Sequence, residues 1–372
     1  MRRTPPQALD VVVDTGSPDL WVLSHCSEAA ECAGVPLFAG ASAARSGQPF
    51  SAQYALGTAA GELVADAVRL PASETLSFGL VNRTTEWSAA NTTLSGLLGL
   101  GWAYDETDDD PAWLAASAGW EQPLFGVHLG RGEHGGSLTL GGVDAAVVAA
   151  DSINYLPLVA AHDWAVALDG VVVNGQDIAP SRSWNAAVDT GTSHILAPRA
   201  AFDAVYAAVP GAFLHGTVPL FPCHTPPEVT LTLGGHAYPV PAGDLVLAAY
   251  TPAELRALGV DPPPGVAQWC EGALRLQHDG GDADDWILGD AFLKSVYTVF
   301  RATPPSVGFA RLQPAHAASF GLGGRWPRLA ATHHAAMLAL VGVLALLVLA
   351  ARFARRERAR ARAHHFTHKH LP

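Results

Sequence analysis

Short apolar runs, broken every few residues by Gly, Pro, Asn or Asp, fill most of this chain. Runs of that length and alternation predict β-strands, here over 62–70, 136–140, 164–173, 229–233 and 297–300. Gly141-Gly142, Asn174-Gly175 and Gly234-Gly235 supply turn chemistry between them. Helical periodicity is confined to 111–118, 199–209 and 252–258, the last with Thr251 placed as an N-cap. The pattern predicts a mainly β protein, largely antiparallel, with few and short helices. One stretch departs from it. Residues 335–351 carry no charge or strongly polar group, and the flanking 330–334 bring the run to the length that crosses a bilayer. A buried core helix is the alternative for such a run. Its position near the end of the sequence, with an Arg-rich segment after it, favours a membrane span over 333–351.

A repeat organises the rest. Val11-Val-Val-Asp14-Thr15-Gly16-Ser17 recurs as Ala186-Ala-Val-Asp189-Thr190-Gly191-Thr192, 175 residues later. Each copy is an apolar strand entering a tight turn. A second element follows each: Leu97-Leu98-Gly99 after the first Asp and Ile287-Leu288-Gly289 after the second. A single D-T-G is a common triplet. Two copies with matching downstream partners predict duplicated lobes.

Charge sharpens the division. The chain carries 22 basic and 34 acidic residues, a net charge of −12. From Arg352 to the end there are six arginines and Lys369 against Glu357 alone, so the body upstream stands at −18. By the positive-inside rule the tail faces the cytoplasm and the body lies outside the cell or in a lumen. The residues that continue past Ala351 argue against a lipid-anchor signal, which ends in its apolar tail. The acidic body excludes a general nucleic-acid binder, and 49% hydrophobic residues with 15% charged exclude a largely disordered chain. Four cysteines without a C-x-x-C exclude thioredoxin-like, zinc-ribbon and c-type haem readings. Sequons at Asn82 and Asn91 fit a secretory route. Residues 1–10 are polar and lack the apolar core of a signal peptide. The expectation is therefore a chain short at its N-terminus, one begun at an internal methionine, or one oriented the other way.

Two aspartates brought together across a pseudo-two-fold axis carry a definite chemistry. Like charges at hydrogen-bonding distance split into one low and one raised macroscopic pKa. One carboxylate then serves as base on a shared water while the protonated partner supplies a proton to the substrate carbonyl. No metal, cofactor or covalent nucleophile is needed. In this reading Thr15 and Thr190 lock their turns, and Gly16 and Gly191 let backbone amides approach the carboxylates. Ser17 and Thr192 hydrogen-bond the outer carboxylate oxygens.

The chain resembles the pepsin-like aspartic proteases, the two-lobed eukaryotic type, from about Thr4 to Arg311. Asp14-Thr-Gly-Ser-Pro-Asp-Leu-Trp21-Val is similar to the family's first active-site motif and Val188-Asp189-Thr-Gly-Thr-Ser193 to its second. Tyr54-Ala-Leu-Gly57-Thr58-Ala-Ala-Gly61 resembles the flap hairpin, and 125–129, 141–144, 286–293 and 297–300 resemble further blocks in the same order. The resemblance implies a mainly β, bilobal acid-protease fold with lobes at 1–155 and 156–312. A stalk at 313–332, the span at 333–351 and a cytoplasmic tail at 352–372 would follow. It implies a hydrogen bond from Trp21 to the flap tyrosine Tyr54, with Gly57 and Thr58 in the flap. Leu97 either lines the pocket before the scissile bond or is plain core. Disulfides Cys26–Cys32 and Cys223–Cys270 are implied, with free buried thiols as the alternative.

Departures from the family pattern are also legible. Fewer residues than usual precede Asp14, which would leave a sheet partner of the first lobe unpaired, and Ala55 stands where the flap usually has Gly. The acidic run 105–110 suits basic peptides in the manner of fungal yapsins, or weak Ca²⁺ binding, or simple solvation. His364, His365, His368 and His370 read as a metal-binding cluster or a solvated tail. The expected function is a membrane-anchored, yapsin-like aspartic endopeptidase of acidic optimum. It would be a glycosylated monomer acting on protein or peptide substrates, without cofactor, metal or nucleic acid. A catalytically inactive binding protein on the same fold is the alternative.

Overall fold

The computed structural model describes residues 6–26, 34–54, 57–70, 72–85, 94–103, 110–131, 135–160, 163–178, 183–277, 285–313 and 316. The first lobe contains strands β1 (Val11–Asp14), β2 (Leu20–Leu23), β3 (Ala44–Gln53), β4 (Thr58–Leu70), β5 (Ala72–Thr85) and β6 (Gly96–Gly99). They form one sheet in the order β1-β6-β2-β5-β4-β3. Helix α1 (Ala112–Ser117) leads into β7 (Leu124–His128), β8 (Ser137–Leu140) and β9 (Asn154–Pro157).

The second lobe opens with β10 (Ala165–Leu168), β11 (Gly170–Val173), β12 (Gln176–Ile178), β13 (Trp184–Val188) and β14 (Ile195–Ala197). After α2 (Arg199–Ala207) come β15 (Phe213–His215), β16 (Val218–Pro222), β17 (Val229–Leu233), β18 (His236–Val240) and β19 (Val246–Tyr250). Then follow α3 (Pro252–Ala257), β20 (Trp269–Gly272), β21 (Leu274–Leu276), β22 (Asp285–Leu288), α4 (Asp290–Leu293), β23 (Val296–Arg301) and β24 (Ser306–Arg311). A bridging sheet, β8-β7-β23-β24-β9, draws strands from both halves of the chain.

The duplication read from the sequence is present in the strand pairing. In the first lobe β1 runs parallel to β6, β2 antiparallel to β6, and β2 parallel to β5. In the second, β13 runs parallel to β22, β14 antiparallel to β22, and β14 parallel to β21. The D-T-G strand and the apolar-Gly strand are therefore neighbours in each lobe, which explains why the two motifs recur together. The lobes diverge outside this unit. β13 has β10 on its outer side, whereas β1 has no strand there among the described residues.

Predicted strands and helices mostly fall where elements form, with informative shifts. The strand expected at 164–173 is two strands in two sheets, because the chain turns at Asp169. That residue's amide donates to the Thr232 carbonyl at 2.9 Å, and its carboxylate accepts from the Gly235 amide at 2.8 Å. The 62–70 segment belongs to the longer β4, which pairs along its whole length with β5. Its local pattern shows only the half that alternates. Thr251 caps α3 as expected, and Glu254 completes a capping box.

Five aromatic side chains hold the lobes to the bridging sheet. Trp113 and Trp164 lie 5.7 Å apart, Trp102 packs on both, and Phe125 stacks on Phe300 at 4.9 Å. Two of the three indoles are satisfied inward: Trp113 Nε1 donates to the Gly101 carbonyl and Trp164 Nε1 to that of Leu100, while the buried Trp102 Nε1 has no acceptor among the described residues. The second lobe adds the Cys223–Cys270 disulfide, closing a loop of 47 residues and tying the turn after β16 to β20. Cys26 is also disulfide-bonded; Cys32 lies outside the described residues.

Among the described residues no helix is long and apolar enough to cross a membrane. The expected span at 333–351 and tail at 352–372 lie outside the described residues, as do the acidic run 105–109 and the histidines from 364 to 370. The fold makes a graded prediction. Phe125→Ala is expected to cost about 3–5 kcal/mol by emptying the aromatic hub, and Thr251→Ala about 1 kcal/mol by removing one cap. Urea unfolding of the two variants measures both.

Candidate active site

The two D-T-G turns meet where the lobes face each other. β1 and β13 are apolar and held between sheet neighbours, so each delivers its aspartate at the strand's C-terminal end. The threonines then cross the interface. The Thr15 amide donates to Thr190 Oγ1 at 3.1 Å, and the Thr190 amide donates to Thr15 Oγ1 at 3.0 Å. Thr15 Oγ1 donates in turn to the Val188 carbonyl at 2.9 Å, and Thr190 Oγ1 to the Val13 carbonyl at 2.7 Å. Sequence reasoning gave each threonine a role inside its own turn. The structure uses both to fasten one turn to the other, a role that no local pattern carries.

Inside each turn the carboxylate is held at both oxygens. Asp14 accepts from the Gly16 amide at 2.8 Å and from Ser17 Oγ at 2.5 Å. Asp189 accepts from the Gly191 amide at 2.7 Å and from Thr192 Oγ1 at 2.6 Å. Ser17 and Thr192 thus occupy the places expected of them. Glycine is required for space: a Cβ on Gly16 would sit 2.7 Å from the Asp189 carboxyl carbon, and one on Gly191 would overlap the Asp14 carboxyl.

Burial and like charge set the electrostatics. Asp14 is 6% exposed and its pKa is pushed up to about 7, by burial first and then by the Asp189 carboxylate. The hydrogen bonds from Ser17 and Gly16 oppose that rise, and a hydrogen-bonding contact with the Asp189 side chain reinforces it. A third carboxyl, Asp290 at the start of α4, is pushed up to about 6, by burial first, with Lys294 opposing and Asp189 adding. His194 is pushed down to about 4 by burial, with Arg275 adding to the fall. Sequence reasoning assigned no site role to Asp290 or His194. The available signal was their fixed offset from the second D-T-G and from the apolar-Gly pair.

Two carboxyls held side by side on duplicated lobes, each fixed at both oxygens, are suited to activating a water. The family model described as eukaryotic aspartyl protease matches residues 3–312. The chain belongs to that family. Similar proteins include the major aspartyl peptidase 1 of Cryptococcus neoformans var. grubii, 29% identical over 351 residues that cover 86% of this chain and 68% of that protein. The aspartic protease of Phaffia rhodozyma is 32% identical, covering 82% of this chain and 74% of that protein. The embryonic pepsinogen of Gallus gallus is 30% identical, covering 83% and 78%. This is a mainly β, bilobal aspartic peptidase.

The remaining candidate residues of this peptidase divide into three groups. Trp21 and Tyr54 meet: the Trp21 indole donates to the Tyr54 hydroxyl at 2.7 Å, and the Tyr54 amide donates to the Gly57 carbonyl at 3.0 Å. Thr58 starts β4, and its hydroxyl shares a 2.8 Å hydrogen bond with that of Thr85, which ties the start of β4 to the end of β5. Leu97 is 4% exposed and belongs to the apolar cluster of Trp21, Leu23 and Val81, against which Tyr54 packs. Asn82 is exposed on β5, whereas Asn91, Ala55 and Leu56 lie outside the described residues.

Two outcomes follow from this geometry. Thr15→Val is expected to lower stability by about 2–3 kcal/mol, because it leaves the Thr190 amide and the Val188 carbonyl unpartnered, whereas Thr15→Ser costs under about 1 kcal/mol. Asp14→Asn is expected to stabilise the fold on the order of 2–4 kcal/mol near pH 7 and by little below pH 4. The sign follows from a folded-state pKa raised above the usual 3.8. The native carboxyl's contribution is fully present below that usual value and is lost as pH rises through about 7. Urea unfolding at the two pH values measures the difference.

Proposed function

We propose that this chain is an endopeptidase in which a water, activated between Asp14 and Asp189, attacks the peptide carbonyl directly. The observation that supports this reading most is the doubly held, coupled carboxyl pair, one of whose members keeps its proton to about pH 7. With one proton on the pair, the ionised carboxylate removes a proton from the water as its oxygen adds to the carbonyl carbon. The protonated carboxyl gives its proton to the carbonyl oxygen, forming a neutral tetrahedral intermediate. Collapse of that intermediate returns a proton through the pair to the leaving nitrogen, and the C–N bond breaks. Ser17 and Thr192 hold the outer oxygens so that the inner ones face the water. Tyr54, steadied by Trp21, closes over the bound peptide.

The pH dependence carries a sign. Activity needs one proton on the pair, so cleavage falls as pH rises through about 7 and is supported on the acidic side. Asp14→Asn and Asp189→Asn are each expected to abolish cleavage of a denatured protein substrate at pH 4–6 while the fold is kept. A folded Asp14→Asn protein that cleaves at the native rate would overturn the mechanism. Tyr54→Phe leaves the Trp21 indole without its acceptor and is expected to lower kcat/KM about tenfold.

The anchoring belongs to the same reading. The apolar 333–351, the basic tail after it and the exposed Asn82 sequon support a single-pass, glycosylated protein whose catalytic body lies outside the cytoplasm. Its acidic body supports a preference for basic peptides of the yapsin kind. An epitope tag after Pro372 is expected to be reached by antibody only after permeabilisation. Staining of intact cells would reverse the topology.

A further inference from the structure

A buried ion pair far from the D-T-G turns is unexplained by the chemistry above. Arg131 lies in the turn after β7, in the bridging sheet, and Asp244 lies in a 3-10 turn, Ala242–Leu245, that leads into β19 of the second lobe. Their side chains are 9% and 8% exposed. Arg131 Nε donates to both Asp244 oxygens, at 3.1 and 3.2 Å, and Nη2 donates to Oδ2 at 2.5 Å. A planar fork on a carboxylate fixes both distance and orientation. As a source of stability such a pair is inefficient, since desolvating two charges offsets much of their attraction and an apolar pair of similar volume often does as well. Its consequence is better sought in what it holds in place.

The 3-10 turn touches two connections to the second aspartate. One face packs on α4. The first residues of α4 are stitched to the segment after Asp189: the Asp290 amide donates to the Thr192 carbonyl at 2.8 Å, and the Ala291 amide to that of Ser193 at 3.2 Å. Thr192 is the residue whose hydroxyl holds Asp189 Oδ2. The other connection runs through the backbone. The Leu245 carbonyl accepts from the Ala273 amide at 2.9 Å, and the Ala273 carbonyl accepts from the Ile195 amide at 3.2 Å. Both connections converge on residues 192–195. The first aspartate has no such support from this pair.

We propose that Arg131 and Asp244 are positioning residues, a brace that seats the 3-10 turn against α4 and so fixes the Asp189 carboxylate relative to Asp14. The brace touches neither substrate nor the reacting atoms, and its effect on rate rests on the carboxyl-pair mechanism above. Its geometric effect does not, so the two are separable by experiment.

Arg131→Met leaves a buried carboxylate unpaired and risks unfolding. The informative variants are Arg131→Lys, which keeps the charge but loses the fork, and the double variant Arg131→Met/Asp244→Leu, which removes both charges. Amide hydrogen exchange by mass spectrometry on the whole chain is compared over 189–195, 290–293 and 14–17. The expected result in both variants is exchange at least about fivefold faster in the first two segments, with a smaller rise over 14–17, which the crossing threonines tie to the second turn. In steady-state cleavage, kcat is expected to fall about tenfold with KM within about twofold of native, since misplacing one carboxyl affects the chemical step more than binding. Charge reversal, Arg131→Asp with Asp244→Arg, is expected to restore part of both readouts. Unchanged exchange over 189–195 overturns the brace, and so does acceleration spread evenly over all segments, which is a stability role alone. A native chain without Asp14-dependent cleavage would sink the mechanism, while the exchange measurement still decides the brace.

Discussion

Two carboxyl groups that repel each other must be held in contact, and the remainder of this structure is arranged around that requirement. The force that holds them is the pair of threonine hydroxyls that cross between the turns, each accepting from the opposite amide and donating to the opposite strand. Neither turn can move without breaking hydrogen bonds in the other lobe. Because Thr15 is buried and Thr190 half-buried, water replaces these bonds poorly, and their loss costs desolvation of the orphaned partner as well as the bond itself. The sheets behind the turns supply the rigidity that this arrangement needs. Each D-T-G strand is locked to an apolar-Gly strand in parallel register, and the chain returns through it antiparallel, so the turn is anchored from two directions.

Much of this was legible in the sequence because it is periodic or repeated. The D-T-G copies, their apolar-Gly partners and the capping residue Thr251 are short-range patterns with a physical reason for every position. The Trp21–Tyr54 contact was legible only through resemblance, since 33 residues separate the two side chains. Other features were hidden for a common reason: they join residues far apart in the chain and have no period. The crossing threonines are 175 residues apart, and Arg131 and Asp244 are 113 apart. The division at Asp169 was missed because β10 and β11 are both continuously apolar. Their sheet neighbours distinguish them, as does the Asp169-Gly170 turn dipeptide between them.

Duplication did not make the lobes equivalent. The first builds a single broad sheet and spends its longest strands on the β3–β4–β5 meander, with Tyr54 just past the end of β3. The exposed edge strand of that sheet is protected by Pro49 and a register shift between Arg45 and Pro49, both of which discourage pairing with another chain. The second lobe divides into several smaller sheets, is cross-linked by Cys223–Cys270, and packs α4 beside its catalytic turn. The two lobes thus present their aspartates differently. Asp14 is correspondingly the deeper of the two carboxyls, with Asp189 only partly buried.

That asymmetry ties stability to the same variable as catalysis. Asp14 and Asp290 both have folded-state pKa values above the usual carboxylic acid value, near 7 and near 6, and in both burial is the first cause. A raised carboxyl favours the folded state fully below its unfolded pKa, and this contribution is lost as pH rises through the folded value. The site is therefore least strained when the carboxyl pair holds a proton. As pH rises through those values both groups ionise in a low-dielectric interior: Lys294 faces Asp290, and His194 is kept neutral by its own burial. The fold then resists the fully ionised pair, and the crossing threonines hold it together against repulsion. An acidic setting removes that repulsion, so a proton on the pair relaxes the strain of bringing the two carboxyls together.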